Sequence, residues 1–239
     1  GTWSCSGTSA SITSNDIEIR LNKEEGFSLY QGGDLLLSSF QGEFSLEDPA
    51  RKGKAYAPFA GSKVSSRDVE EIYGSFRFED EVGEYSEFLL KKVEKKKEHI
   101  EFEFENGVTG EIALVENLAT LKIDGNPAEL NRLAMNLVCK ETDRFFGLGA
   151  QVSAEHRGYR IPIWVSEQGN GKSDQGEPPQ VFGLTGGHYD SYSPIPFTLM
   201  NRPLGLELDT VHRSEFELCA EGGPIRLEIQ DSKFALNIY

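Results

Sequence analysis

The chain of 239 residues carries a formal net charge of −15, from 39 Asp and Glu against 24 Lys and Arg. Hydrophobic residues make up 38% of the sequence and charged residues 26%, which is typical of a folded globular protein. The acidic balance argues against a nucleic-acid partner, because phosphate binding needs clustered cations, and the one basic run, 95–97, is flanked by Glu94 and Glu98. No apolar run approaches the ~18 residues that a membrane-spanning helix needs, so we expect no membrane partner either.

The cysteine pattern predicts neither a disulfide framework nor a metal site. Cys5, Cys139 and Cys219 are an odd number at wide spacing, without a CxxC pair or a histidine at metal-ligand spacing. We expect Cys139 and Cys219 to be small buried apolar residues in strands, as free cysteines commonly are. This pattern indicates a reducing compartment, and the expected location is cytoplasmic. The chain begins at Gly1 without a basic and apolar leader, so we expect that the native start is missing or has been processed.

Alternation of polar and apolar residues, the pattern of a half-buried strand, dominates the first half of the chain. It occurs in DIEIRL, YGSFRFE, HIEFEFE and TGEIALVE, which occupy residues 16–21, 73–79, 99–105 and 109–116. Turn residues separate such strands at Gly32-Gly33, at 105–107 and at 124–126, and Asn106-Gly107 is the strongest hairpin signal among them. Residues 98–123 are therefore predicted to form an antiparallel meander.

Four more short strands are predicted near the end of the chain, in the ranges 202–211, 214–220, 224–230 and 233–239. Helix signals are poor, and the two best candidates, a turn at 66–72 and a piece of 91–98, lack a persistent apolar face. Roughly a dozen or more short strands that share one alternation indicate two layered antiparallel sheets. The predicted fold class is all-β, a large antiparallel β-sandwich that forms a single domain over residues 1–239.

The most informative stretch for function follows a tryptophan. Residues 166–180, SEQGNGKSDQGEPPQ, show no periodicity and predict a long loop. Sugar sites pair an aromatic face with amide and carboxylate groups that hydrogen-bond the hydroxyls, and Trp164, Glu167, Gln168 and Asn170 are residues of these types. Trp164 is equally well interpreted as a core residue, because its apolar neighbours alternate with it. For the two loop residues Glu167 and Gln168 the functional interpretation is favoured, since packing explains less in a loop.

Other kinds of site are not indicated. The 39 acidic residues are too many to define a glycosidase pair, and no GxSxG elbow is present. The run Gly147-Leu148-Gly149 is not a phosphate loop, because Val152 takes the place of the third glycine and no helix pattern follows, so no cofactor is predicted. The four histidines are interpreted as surface or edge residues, although His188 receives slightly more weight because it lies in the glycine-flanked run GGHYDSYSP. They are His99, His156, His188 and His212.

Two arginines precede the predicted loop. Arg157 and Arg160 bracket Gly158 and Tyr159 and could bind an anionic group through bidentate hydrogen bonds. In so acidic a chain, a structural ion pair with Glu155 or another carboxylate is the favoured interpretation.

Three ordered motifs carry a resemblance to a known family: FFGLGAQ at 145–151, RGYRIPIW at 157–164 and SEQGNGK at 166–172. They resemble the segments (F/Y)(F/Y)GxGEQ, RGxxxPxW and SEQGxG(R/K) of the N-terminal β-sandwich domain of glycoside hydrolase family 31, the α-glucosidase and α-xylosidase family. The similarity is greatest to the sulfoquinovosidase-like branch. Weaker likeness extends to 40–48 and 193–210. Ala150 departs from the pattern, because the family usually has Glu there, so the hydrogen bonds of that carboxylate are missing.

The resemblance implies a galactose mutarotase-like supersandwich placed before a catalytic (β/α)₈ barrel, and none of the barrel is present in these 239 residues. Family members are retaining hydrolases that use one Asp as nucleophile and another as general acid/base, and neither can be assigned to a position here. The implied partners are therefore the catalytic barrel of the same enzyme and an α-linked sugar. The family residue matching Glu167 lies near the +1 or −1 sugar. The predicted substrate-rim residues are Glu167, Gln168, Asn170, Trp164 and Lys172, with no catalytic residue.

Three functions remain open from the sequence. The first is the N-terminal part of an α-glycosidase, inactive by itself. The second is a stand-alone carbohydrate-binding module on the same sandwich. The third is a mutarotase-like epimerase, which would need a histidine and a glutamate as acid and base on a concave sheet face.

Overall fold

The computed structural model describes residues 7–39, 58–72, 75–81, 84–151, 153–165, 189 and 191–239. In this part of the chain the secondary structure is almost entirely antiparallel β-sheet, with one 3₁₀ turn at Ala220–Gly222 and no α-helix. The all-β class and the antiparallel sandwich are thereby confirmed. Within the described ranges, no helix has the length and apolar character needed to cross a membrane.

The first sheet is a simple meander of four strands in chain order. Its strands are β1 (Ser9–Ser14), β2 (Ile17–Asn22), β3 (Gly26–Gln31) and β4 (Asp34–Ser38). Strand β2 corresponds to the predicted strand at 16–21, and the Gly32-Gly33 turn joins β3 to β4. The alternating burial along β2 places its isoleucines and leucine on one face, where they enter the common core.

The largest sheet has eight strands in the spatial order β14-β16-β17-β20-β12-β11-β10-β9. The strands are β9 (Leu90–Lys95), β10 (His99–Phe104), β11 (Thr109–Val115), β12 (Leu118–Asp124), β14 (Phe145–Gly149), β16 (Pro194–Met200), β17 (Gly205–Leu208) and β20 (Lys233–Ile238). The predicted meander over 98–123 is confirmed as β10 to β12, with the Asn106-Gly107 hairpin between β10 and β11.

A six-stranded sheet packs against it in the order β15-β18-β19-β13-β5-β8. Its strands are β5 (Phe59–Ser62), β8 (Ser86–Glu87), β13 (Arg132–Leu137), β15 (Arg160–Ile163), β18 (Ser214–Leu218) and β19 (Ile225–Ile229). The four strands predicted near the end of the chain are confirmed as β17 to β20 and are divided between the two sheets. Buried side chains of all three sheets form one continuous apolar cluster.

Neither helix candidate forms a helix, in agreement with the poor helix signals of both segments. Residues 66–72 belong to β6 (Ser65–Ile72), which pairs with β7 (Ser75–Glu81) in a two-stranded hairpin. Most of 91–98 belongs to β9, where Leu90 and Val93 are both buried. A bulge opposite Phe104 inserts one extra residue in β9, so apolar residues three apart face the same side of a strand.

The cysteine prediction is also wrong. Cys139 and Cys219 form a disulfide with an S–S distance of 1.96 Å and a Cα–Cα distance of 5.8 Å. Cys139 follows β13 and Cys219 follows β18, and these strands are separated in the sheet only by β19. A sequence separation of 80 residues hides this proximity, which arises only when the sheet assembles. The reducing compartment was predicted because the cysteines were expected to be unpaired, and this reason no longer holds. The cytoplasmic location stays a prediction.

Candidate functional site

The FFGLGAQ motif and the residue that follows the RGYRIPIW motif lie close together where the segment 166–190 begins and ends. This segment carries the third motif, SEQGNGK. Val165 pairs with Ser191 through an isolated parallel bridge. The Ser191 hydroxyl donates a hydrogen bond of 3.0 Å to the Ala150 carbonyl, and the Ala150 N–H donates one of 3.1 Å to the carbonyl of Ser193. We call these four residues the loop stem. They hold the two ends of the intervening segment together, directly beside the FFGLGAQ motif.

The backbone entering the loop stem adopts a strained conformation at three consecutive residues. Gly147, Leu148 and Gly149 all have positive φ, of 110°, 61° and 87°. Leu148 is fully buried, which anchors a conformation that a non-glycine residue rarely adopts. A Cβ atom on Gly149 would lie 2.0 Å from the Ser193 carbonyl oxygen, so the second glycine of the motif is required by close approach of backbone to backbone.

Substitution of Gly149 by Ala is expected to lower the free energy of unfolding by about 3 kcal/mol, because the added methyl group collides with a fixed backbone carbonyl. Gly158 is a matched control, since its φ is 89° and no heavy atom lies within 4 Å of the position of its Cβ. Gly158→Ala should cost only about 1 kcal/mol, from backbone strain alone. Urea titration of both variants measures the difference, and equal losses would contradict the steric account.

Trp164, the one predicted site residue that the structure describes, is half-buried at the end of β15. Its ring packs edge-to-face on Phe78 with a centroid separation of 5.7 Å and an interplanar angle of 83°. The Arg213 guanidinium lies 3.5 Å from the Phe78 ring centroid and 5.2 Å from that of Trp164. These contacts assign Trp164 a packing role at the start of the loop. Its contact with a sugar stays a prediction.

The remaining predicted rim residues lie outside the described part of the chain, so their roles stay predictions. They are Glu167, Gln168, Asn170 and Lys172. The structure nevertheless fixes where their segment begins and ends, since Val165 and Ser191 are paired.

The predicted structural ion pair is confirmed for Arg160 but not for Arg157. Arg160 Nε lies 2.5 Å from Glu215 Oε1 on the neighbouring strand β18. The Arg157 guanidinium donates instead to backbone carbonyls, at 2.9 Å to Lys140 and 3.2 Å to Asp143. Burial raises the pKa of the Glu215 carboxyl above its usual range, and the Arg160 guanidinium opposes this effect.

Glu215 belongs to a buried polar face of the six-stranded sheet that the sequence analysis did not identify. Glu228 lies directly opposite Glu215 on β19, and its carboxylate receives hydrogen bonds from Arg226 at 3.1 Å and from the Tyr85 hydroxyl at 2.7 Å. Burial, reinforced by the adjacent carboxylate, raises the pKa of Tyr85. Each carboxylate has its own guanidinium partner, so the pair forms a structural network and not a free acid and base. Only strand register brings these residues together.

His156 corrects the interpretation of the histidines as surface or edge residues. Its side chain is fully buried, with Nε2 3.1 Å from the Gly147 carbonyl oxygen and its ring edge-to-face with Tyr189 at 5.7 Å. It thus packs under the strained glycine segment and not on an open sheet face, which removes it as an acid or base of a mutarotase-like site. His188 lies outside the described residues. Among the described residues, no group of three or more His, Cys, Asp and Glu side chains could hold a metal ion.

A polar groove of about 560 Å³ crosses the far end of the eight-stranded sheet, at β9 to β12. Its carboxylates are paired with lysines in or beside the groove, as in the pairs Lys92–Glu94 at 2.8 Å, Lys122–Glu111 at 3.4 Å and Lys96–Glu101 at 3.3 Å. Hydrogen bonds from Lys92 and Lys96 lower the pKa of the exposed Glu94 carboxyl to about 2. None of the family-like motifs contributes to this groove, so the loop stem remains the candidate site.

Comparison with known proteins finds similarity to two sulfoquinovosidases. The chain is 27% identical over 199 residues to a sulfoquinovosidase of Agrobacterium fabrum, which covers 81% of this chain and 28% of the relative. A family 31 sulfoquinovosidase of E. rectale, solved in complex with the aza-sugar inhibitor IFGSQ, superposes with a TM-score of 0.76 at 21% identity. That match covers 92% of this chain and 31% of the solved one. No protein-family model matches the chain.

The fold and the aligned sequence define a β-sandwich related to glycoside hydrolases. The relation is to glycoside hydrolase family 31, as the three motifs predicted. The chain spans somewhat under a third of the length of the relatives it matches.

Proposed function

We propose that residues 1–239 are the N-terminal β-sandwich domain of a retaining family 31 α-glycosidase of the sulfoquinovosidase type. In this proposal, the catalytic (β/α)₈ barrel lies in a further part of the same enzyme. The observation that carries it is the sulfoquinovosidase relation over 81% of this chain, together with a fold match that covers 92% of it. A stand-alone binding or epimerase function is not favoured, because the described residues offer a loop stem and paired ions but no free acid and base.

In this proposal, the domain contributes to hydrolysis by holding the segment 166–190 in position beside the substrate. The strained glycine run and the Val165–Ser191 bridge fix both ends of the segment 166–190. Rigid anchoring of this kind lowers the conformational entropy lost when a segment binds a ligand. Glu167, Gln168, Asn170 and Lys172 would then contact substrate at the rim without breaking a bond. A sulfoquinovoside carries a sulfonate, which suits a cation such as Lys172. A glucoside carries a hydroxyl on the same carbon of the sugar.

The proposal is tested with the protein extended beyond Tyr239 to the end of its reading frame. Hydrolysis of aryl α-sulfoquinovosides and aryl α-glucosides is measured in parallel for the extended protein and for the 239-residue chain. We expect the extended protein to hydrolyse the sulfoquinovoside and the shorter chain to hydrolyse neither. An extended protein without activity on any α-glycoside would refute the proposal, and activity on the glucoside alone would refute the sulfoquinovosidase type.

The rim role of Glu167 has its own prediction. In the extended protein, Glu167→Ala is expected to raise KM about tenfold while kcat changes little, since a rim contact binds substrate and transition state alike. Glu111→Gln, on the charged end of the eight-stranded sheet, is the control and should leave both constants unchanged. If Glu167→Ala lowers kcat with KM unchanged, the residue acts in the chemical step and the rim role is wrong.

A further inference from the structure

One outward face of the eight-stranded sheet changes character from one end to the other. A series of cross-strand pairs shows that the residues concerned share this face: Glu111 pairs with Lys122, Thr120 with Asn237, Asn237 with Glu207, and Glu207 with Phe197. At the β9–β12 end the face carries lysine–glutamate ion pairs. Strands β14 and β16, at the other end, place aromatic and aliphatic side chains there.

The apolar end consists of Phe146, Ile195, Phe197, Leu199 and Tyr239, which we call the apolar face. Phe146 pairs with Leu199 across strands, and Phe197 packs edge-to-face on Tyr239 with a centroid separation of 6.0 Å. Four of the five side chains are 38–52% exposed, and Phe197 is half-buried.

Single exposed apolar residues are ordinary, but a contiguous group that contains three aromatic rings marks an interaction surface. The β9–β12 end of the same face strengthens this interpretation, because its exposed side chains are charged, as is usual for a surface in contact with water. The Phe197 ring packs closely on Gly205 of β17, since a Cβ atom there would lie 2.9 Å from Phe197 Cε2.

We infer that the apolar face receives the catalytic portion of the enzyme, an inference that rests on the proposed function. Tyr239 is itself part of the apolar face and is tied to it by hydrogen bonds with Gly205 and Glu207. Any polypeptide that follows Tyr239 therefore leaves from this surface. The relatives that this chain matches are about three times as long, and their remaining length is the occupant to which we commit.

Thiol labelling tests the inference. Leu199→Cys and the control Lys122→Cys are made on the two ends of the same face in a Cys5→Ser background, because Cys139 and Cys219 are already paired. In the 239-residue chain both introduced thiols should react with a maleimide at similar rates. In the protein extended beyond Tyr239, Leu199→Cys should react at least about tenfold more slowly, whereas Lys122→Cys should not change. Ile195→Cys repeats the test on the apolar face with a second variant.

Equal labelling of Leu199→Cys in the short and extended proteins overturns the inference. Protection that appears in the short chain as its concentration rises, together with a dimer in sedimentation, also overturns it and assigns the face to a second copy. Hydrolysis is measured on the same extended samples. Activity without protection rejects the docking surface and leaves the proposed function intact, while protection without activity on any α-glycoside rejects the function and retains the surface.

Discussion

Replacement of Asp143 by Asn is expected to lower the free energy of unfolding by about 4 kcal/mol. Asp143 Oδ2 lies 2.6 Å from Arg202 Nη2, and the two side chains are only 2% and 14% exposed. The same carboxylate accepts the Lys140 N–H at 2.8 Å, and Arg202 also donates to the Leu36 carbonyl. The variant leaves a buried guanidinium without its counter-charge, which is the most costly way to break such a pair. Urea titration followed by circular dichroism measures the loss.

Two controls separate burial from charge in this prediction. Asp143→Asn combined with Arg202→Met removes the orphaned cation and should be more stable than Asp143→Asn alone. Glu103→Gln breaks the exposed pair with Lys91, which has an N–O distance of 2.5 Å, and should cause no measurable change because water replaces the partner. A loss below about 1 kcal/mol for Asp143→Asn would contradict the prediction.

Removal of the disulfide by Cys139→Ala and Cys219→Ala together should also lower the free energy of unfolding, by about 4 kcal/mol. The bond closes a loop with a sequence separation of 80 residues, and a closure of this size strongly restricts the unfolded chain. It also links the ends of β13 and β18 in the sheet that carries the Arg160–Glu215 pair. Thermal or urea unfolding of the double variant against the parent measures the effect.

The disulfide prediction has a chemical control in the parent protein. Dithiothreitol should lower the unfolding midpoint of the parent to that of the double variant and leave the variant unchanged. Thiol titration of the unreduced, denatured parent should find one free thiol per chain, from Cys5. A count of three would show that the bond does not form and would remove the basis of the prediction.

The loop stem shows how local rules and assembly combine in this protein. FFGLGAQ contains two glycines, and their close backbone approach and positive φ could be expected from the sequence. That Gly149 approaches the Ser193 carbonyl and Gly147 the Phe197 carbonyl, and that the Ala150 carbonyl accepts the Ser191 hydroxyl, depends on the pairing of β14 with β16 about fifty residues later. The missing family Glu at position 150 leaves this backbone hydrogen bond unaffected, because the bond uses the carbonyl and not the side chain.

The sequence alone determined the all-β class, most strand positions, the 98–123 meander and the family relation. These depend on alternation, turn residues and motif order, which are local properties of the chain. Tertiary structure decided the Cys139–Cys219 bond, the Glu215–Glu228 network and the burial of His156. Each of these depends on how the strands pair and pack, because a sheet brings together residues that are tens of positions apart. The division of one sheet face into a charged and an apolar end has the same origin, since it appears only when eight strands lie side by side.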